Sequence, residues 1–209
     1  MSPPRTVVFD LGGVLVDWNP RYLYRQLLPT DDDVEWLLAE VTTGAWNKEQ
    51  DRGRSWAEAV EKLSAQFPEY AELIAAYDER WDEMLGGAFG GMVEILDELR
   101  TTGVGLYALT NWSAEKFPIA RERYPWLSWF QGIVVSGEEK LVKPDPQIYR
   151  VLLERYGIEP ASTVYLDDVS ANVAAARELG MVGLHVTGDD PERARAELAE
   201  MGLVSASRE

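Results

Sequence analysis

The chain has 209 residues, 46% of them hydrophobic, with 36 acidic against 20 basic side chains and a net charge of −16. That composition suits a globular domain with a real core and excludes a disordered chain. The absence of cysteine and the single histidine, His185, exclude a disulfide framework, a thiolate nucleophile and a multi-histidine zinc centre within one chain.

Taken in chain order, short β-rich runs alternate with amphipathic stretches. The N-terminal MSPPRTVVFD enters directly into a first strand, Thr6–Asp10, with no basic, apolar and small-residue pattern of a targeting segment. The next seventy residues contain no convincing strand. They read as helices over Tyr22–Leu28, Asp33–Val41, Ser55–Phe67 and Glu69–Leu85, with Asp31–Asp33 supplying carboxylates to a helix N-terminus and Pro68 separating the last two. Such a stretch is too long for a βα crossover and predicts a helical insertion, with Gly86–Gly91 as a flexible return. Met92–Arg100 is a helix that stops at Gly103, and Gly105–Thr110 and Gly132–Ser136 are the next strands. A helix follows over Pro146–Tyr156, with proline in its first turn and Gly157 after its end. Then come strand Thr163–Asp167, helix Ser170–Leu179, strand Val182–Val186, helix Asp189–Met201 and a tail, SASRE, expected to fray.

Strands that are apolar almost throughout belong in a parallel sheet covered on both faces. The expected fold class is therefore α/β, a doubly wound, Rossmann-like parallel sheet formed by residues 1–16 and 86–209, with an all-helical insertion at 17–85. No apolar run approaches the eighteen or so residues that span a bilayer. The expected setting is cytoplasmic, without membrane or nucleic-acid partners, since phosphate-backbone affinity needs clustered Lys and Arg. The chain is expected to act as a monomer or homodimer.

Open α/β sheets bind ligands outside the carboxyl ends of their strands. Those ends carry Asp10, followed by Gly12 and Gly13; Thr110 and Asn111; and the pair Asp167–Asp168, followed by Asn172. Lys143 lies in the connection after the third strand. Carboxylates there offer hard oxygens to Mg²⁺, and one of them is placed to attack phosphorus. Thr110 and Lys143 would hold phosphoryl oxygens, and the two glycines would let the main chain approach metal and substrate.

In FDLGGVLVDW, LTNWS, VKPDPQIY and LDDVSAN the chain resembles the haloacid dehalogenase superfamily, whose four motifs stand in this order. The resemblance covers essentially the whole chain, because the helical insertion is similar to that family's C1 cap. It implies Asp10 as nucleophile, Thr110 and Asn111 as phosphoryl-binding elements, and Lys143 pairing with nucleophile and phosphate. It further implies Asp168, Asp10 and the Gly12 carbonyl as Mg²⁺ ligands, with Asp167 orienting Lys143 or the metal's water shell and Asn172 and Gly13 in support. The implied activity is Mg²⁺-dependent hydrolysis of a small phosphorylated metabolite, such as a sugar phosphate, through an aspartyl-phosphate.

One position departs from the pattern. Superfamily phosphatases read DxD at the first motif, the second Asp serving as acid and base, and here that position is Gly12. The chain resembles a subset of sugar-phosphate phosphatases with a DLGN- or DLGG-like first motif. Water, Asp51 or Glu49 are the candidates to fill the gap. Two rival readings follow from the same residue: a metal-independent 2-haloacid dehalogenase, against which the acidic Asp167–Asp168 pair argues, and a catalytically weak phosphate-binding regulator. Among the remaining residues, Asp17 reads as a hinge or turn residue and His185 as a packed or strand-end histidine. Trp36, Trp56 and Trp81 read as insertion core, whereas Trp18, Trp46 and Trp112 are candidates to shape a pocket.

Overall fold

The chain begins its regular structure with β1 (Thr6–Phe9) and, after a turn, β2 (Val16–Trp18). Helices α1 (Arg21–Tyr24), α2 (Asp31–Glu40), α3 (Gly44–Asp51), α4 (Trp56–Gln66) and α5 (Ala71–Glu79) precede β3 (Leu85–Ala88). The remainder alternates: α6 (Gly90–Thr102), β4 (Gly105–Thr110), α7 (Phe117–Arg123), β5 (Gly132–Val135), α8 (Ser136–Glu139), α9 (Pro146–Tyr156), β6 (Thr163–Asp167), α10 (Ser170–Glu178), β7 (Val182–His185) and α11 (Pro191–Glu200). The structure is a computed structural model and describes residues 5–206. The expectation of no targeting segment at residues 1–4, and the end of the tail at 207–209, lie outside the described residues.

Five strands form one parallel sheet in the order β5-β4-β1-β6-β7. Along β1, Thr6 pairs with Gly105 on one side and Thr163 on the other, and Phe9 with Ala108 and Leu166. The register carries the ends of β1, β4 and β6 to one rim, and the strand order reverses direction around β1. Alternation along the strands divides the core into two faces. Val7, Phe9, Val164 and Leu166 pack with Ile95 and Leu99 of α6 and Leu198 of α11. Val8 and Tyr165 pack with Ile148 and Leu152 of α9 and Ala176 of α10. The result is the expected α/β sandwich with helices on both faces.

The insertion differs in detail from the sequence reading. Val16–Trp18 is a strand after all and pairs antiparallel with Leu85–Ala88, part of the segment expected to be a flexible return. Both runs are short, and the glycines of the second conceal its β-character from any periodicity count. A tight fit closes this ribbon, since a Cβ at Gly86 would sit 2.5 Å from Asp17 Oδ2. Asp17 accepts a hydrogen bond from Tyr22 Oη at 2.6 Å, which makes it a ribbon residue rather than a simple turn.

Helix α3 was not anticipated, although Thr43 marks its start by accepting a bond from the Trp46 amide. Helices α2 and α4 are capped the same way by Thr30 and Ser55. The stretch expected as one helix over Glu69–Leu85 is broken into 3-10 turns on either side of α5. Trp56 and Trp81 are buried as expected, but Trp36 is 46% exposed and rests against Tyr70. Trp46 joins the insertion core, edge-on to Trp56 and Tyr77. At the other end of the chain Ser205 is not frayed: its amide and hydroxyl both donate to Glu98.

The insertion is fastened to the rim of the sheet. Trp56 Nε1 donates to Ser113 Oγ at 2.9 Å, and Lys116 pairs with Asp78. Ser136 Oγ, just beyond β5, donates to the main-chain oxygen of Asp51 at 2.6 Å. No helix among the described residues is long and apolar enough to cross a membrane.

Candidate active site

At the end of β1 the main chain of Asp10 is fixed by its amide, which donates to Leu166 O at 2.8 Å. Its carboxylate Oδ1 accepts the Leu11 amide at 2.7 Å, and Oδ2 meets Lys143 Nζ at 2.8 Å. Lys143 is 1% exposed and also donates to Asp167 Oδ2 at 2.7 Å and to Leu109 O at 3.0 Å. One ammonium therefore ties the ends of β1, β4 and β6 together. A lysine buried this deeply requires such partners, because an uncompensated charge there would be costly.

Asp167 is fully committed. Besides Lys143, it accepts from Tyr165 Oη at 2.6 Å, the Val169 amide at 2.8 Å and Asn172 Nδ2 at 2.9 Å. Asn172 is held in turn by Tyr149, whose hydroxyl donates to its carbonyl. The sequence reading passed over Tyr165 and Tyr149. Tyr165 lies two residues before Asp167 on a strand, hence on the same face, and that spacing was the available signal.

Asn111 turns out to clasp the main chain of Lys143: its Oδ1 accepts the Lys143 amide at 2.8 Å and its Nδ2 donates to the Lys143 carbonyl at 3.2 Å. Both ends of the side chain amide are used in positioning. The Thr110 hydroxyl beside it is buried and has no hydrogen-bond partner among the described residues. Orphaned buried hydroxyls are rare in proteins and mark a group prepared for something else.

Asp10, Asp167 and Asp168 each bring a carboxylate oxygen within 4.8 Å of the others. Three carboxylates against one ammonium leave an excess of negative charge. Burial is the largest influence on Asp10 and pushes its carboxyl up to about 8, with Asp167 and Asp168 adding to the rise and Lys143 opposing it. Burial and then Asp167 raise Asp168 as well. Burial also works against the charge of Asp167, but Lys143 and its hydrogen bonds outweigh it and hold that carboxyl below the usual range. Lys143 is kept charged by Asp10 and Asp167 against its own burial.

This donor set fits a hard divalent cation, which takes one or two carboxylates and further oxygens. Asp167 is already saturated, so Asp10 and Asp168 are the carboxylates with capacity to share one. Gly13 makes room for Asp168: with φ at +75°, any Cβ there would sit 2.3 Å from Asp168 Oδ2. The Asp168 main-chain oxygen lies 2.7 Å from Nε2 of His185, an exposed strand-end residue rather than a packed one.

A cleft of about 250 Å³ opens over Asp10, Gly12, Lys143, Asp168 and Asn172. Beneath the insertion it adjoins a smaller cavity of about 70 Å³, walled by the indoles of Trp18, Trp81 and Trp112 and by Asn47 and Asp51. Gly12, Trp18 and Asn111 border both spaces. Trp81 thus serves the pocket as well as the insertion core, while Trp46 does not line this cavity. The indole N–H groups of Trp18 and Trp112 are buried without a partner among the described residues.

The comparisons with known proteins agree with this architecture. The sequence model of the haloacid dehalogenase-like hydrolases matches residues 4–180. A sesquiterpene phosphatase of Aspergillus oryzae, astK, is 32% identical over 185 residues, covering 88% of this chain and 90% of that protein. A phosphorylated carbohydrates phosphatase of Thermotoga maritima is 26% identical, covering 84% of this chain and 81% of its own length. Among solved structures, the magnesium complex of a Bacteroides thetaiotaomicron enzyme of the same family superposes with a TM-score of 0.70 at 21% identity, over 90% of this chain and 95% of that one.

Proposed function

The chain belongs to the haloacid dehalogenase-like hydrolases, and from that premise we propose that it is a Mg²⁺-dependent phosphatase acting on a small phosphorylated metabolite. The observation that carries the reading is the cluster of Asp10, Asp167 and Asp168, whose carboxylate oxygens lie within 4.8 Å of one another with a single ammonium, Lys143, bonded to two of them. A divalent cation held by Asp10, Asp168 and the Gly12 carbonyl would supply the missing positive charge, lowering the Asp10 carboxyl and neutralising phosphoryl oxygens.

The remaining chemistry belongs to the chain itself. Asp10 is the nucleophile: an oxygen lone pair attacks phosphorus as the ester P–O bond breaks, leaving an aspartyl-phosphate. Water then attacks the same phosphorus, the P–O bond to Asp10 breaks, and carboxylate and phosphate are regenerated. Lys143 neutralises the phosphoryl group and fixes the Asp10 carboxylate, and the unpartnered Thr110 hydroxyl donates to a phosphoryl oxygen. Asp167 and Asn111 position Lys143, Asn172 holds Asp167, and Gly13 gives Asp168 its room.

In this reading residues 17–85 are a cap that excludes water and selects the organic part of the substrate, against a core of 1–16 and 86–209. Trp18, Trp81 and Trp112 line the space under the cap, with Trp81 and Trp112 packed on each other at 5.6 Å between ring centroids. An apolar-walled space of this kind suits the organic part of a small monoester such as a sugar phosphate. Phosphate release from a panel of sugar, alkyl and isoprenoid monoesters, with Mg²⁺ and with EDTA, tests the proposal. Release confined to the Mg²⁺ arm supports it. Halide release from 2-haloacids that survives EDTA would replace it with the dehalogenase reading.

A further inference from the structure

A carboxylate nucleophile expels an alkoxide poorly unless something protonates the departing oxygen, and Gly12 has no side chain with which to do so. The main chain at Gly12 faces open space, since a Cβ built there meets nothing within 4 Å. Gly12 borders the small cavity under the cap as well as the cleft, and among the described residues that line the cavity Asp51 is the one ionisable group.

We propose that Asp51, at the C-terminal end of α3, is the catalytic acid and base of this site, presented from the cap in place of the side chain that Gly12 lacks. The inference rests on the phosphatase reading above and names the group that completes it. In the first step the Asp51 carboxyl gives its proton to the leaving oxygen as the ester bond breaks. In the second the Asp51 carboxylate takes a proton from the attacking water, and the cycle closes with Asp51 protonated again.

Three observations place it there. The cavity lined by Asp51 adjoins the cleft over Asp10 and Lys143, and Gly12, Trp18 and Asn111 border both. The main chain of Asp51 is anchored to the core by Ser136 Oγ, so its position is referred to the sheet rather than to the cap alone. Glu49, two residues earlier, is exposed, pairs with Arg52 at 3.6 Å and does not line the cavity. Burial, opposed by Lys48 and Lys143 and by the Ser113 amide, brings the Asp51 carboxyl up to about 7, where it serves equally as acid and base near neutrality.

The test compares ester classes in Asp51→Asn. With an alkyl phosphate, whose leaving oxygen must be protonated, kcat/KM falls by about 10²–10⁴. With 4-nitrophenyl phosphate, whose leaving group departs unprotonated, the first-turnover burst of nitrophenolate keeps its rate and only the steady state slows. Gly12→Asp added to Asp51→Asn restores alkyl-ester turnover at least tenfold, because the open space before Gly12 admits the carboxylate; this arm also answers any loss of folding in the single variant. Equal losses for both ester classes without rescue, or a change below tenfold for both, would overturn the assignment of Asp51. If the unaltered protein releases phosphate from no ester, the phosphatase reading fails instead, so the two failures are told apart.

Discussion

Lys143 is the residue on which both the stability of the rim and its proposed chemistry are expected to depend. Among the described residues its ammonium is the sole cation bonded to Asp10 and Asp167, both of them buried. Removing one partner of a buried ion pair costs about 3–5 kcal/mol, because the other is left uncompensated. Lys143→Met is therefore expected to lose stability on that scale in urea titration and to lose turnover as well. The two neighbouring glycines make a sharper contrast. Gly12→Ala places its methyl in open space and should melt within a degree or two of the parent, by the usual size of unstrained surface changes. Gly13→Ala combines a left-handed backbone, a strain of about 1–3 kcal/mol, with a clash against the Asp168 carboxylate. Its melting temperature should fall, and the increase in melting temperature expected on adding Mg²⁺ to the parent should be absent.

At the scale of elements, the core strands were legible because each is a buried apolar run closed by a polar residue, and Asp10, Thr110 and Asp167 mark three of those ends. The β2–β3 ribbon was not, since Leu85–Ala88 is rich in glycine and its partner is three residues long. Of the site, residue types and strand ends were readable from Asp10, Lys143 and Asp168. The engagement of Asn111 with the Lys143 main chain was not, because it joins segments thirty-two residues apart. The attachment of the tail was equally hidden. Glu98 of α6 accepts from Arg195 of α11 and from Ser205, and these bonds hold its carboxyl at about 2, below its ordinary 4.5. A depressed carboxyl contributes stability above the unfolded value and loses it on acidification, here between about pH 4.5 and pH 2. Solvent screening at this partly open site keeps the contribution to about 1 kcal/mol. Hydrogen exchange at the Ser205 amide should accelerate across that range beyond its intrinsic pH dependence, and Glu98→Gln should remove the extra dependence.

At the scale of the whole molecule, the net charge of −16 opposes the approach of the anionic ester proposed as substrate. Raising ionic strength from about 10 mM to about 150 mM shortens the Debye length to about 8 Å and screens that repulsion. With Mg²⁺ saturating, kcat/KM for a dianionic monoester should therefore rise with salt, the reverse of a basic protein that steers phosphate inward. A fall would show that local positive potential at the cleft governs encounter.

The proposed reaction turns on covalent phosphorylation of Asp10. Rapid acid quenching during turnover of a monoester with Mg²⁺, followed by peptide mass spectrometry, reads this directly. One phosphoryl group on Asp10 is expected in the parent protein, and neither adduct nor phosphate release in Asp10→Asn. Undiminished phosphate release by Asp10→Asn, or a phosphoryl group trapped on a different residue, would contradict it.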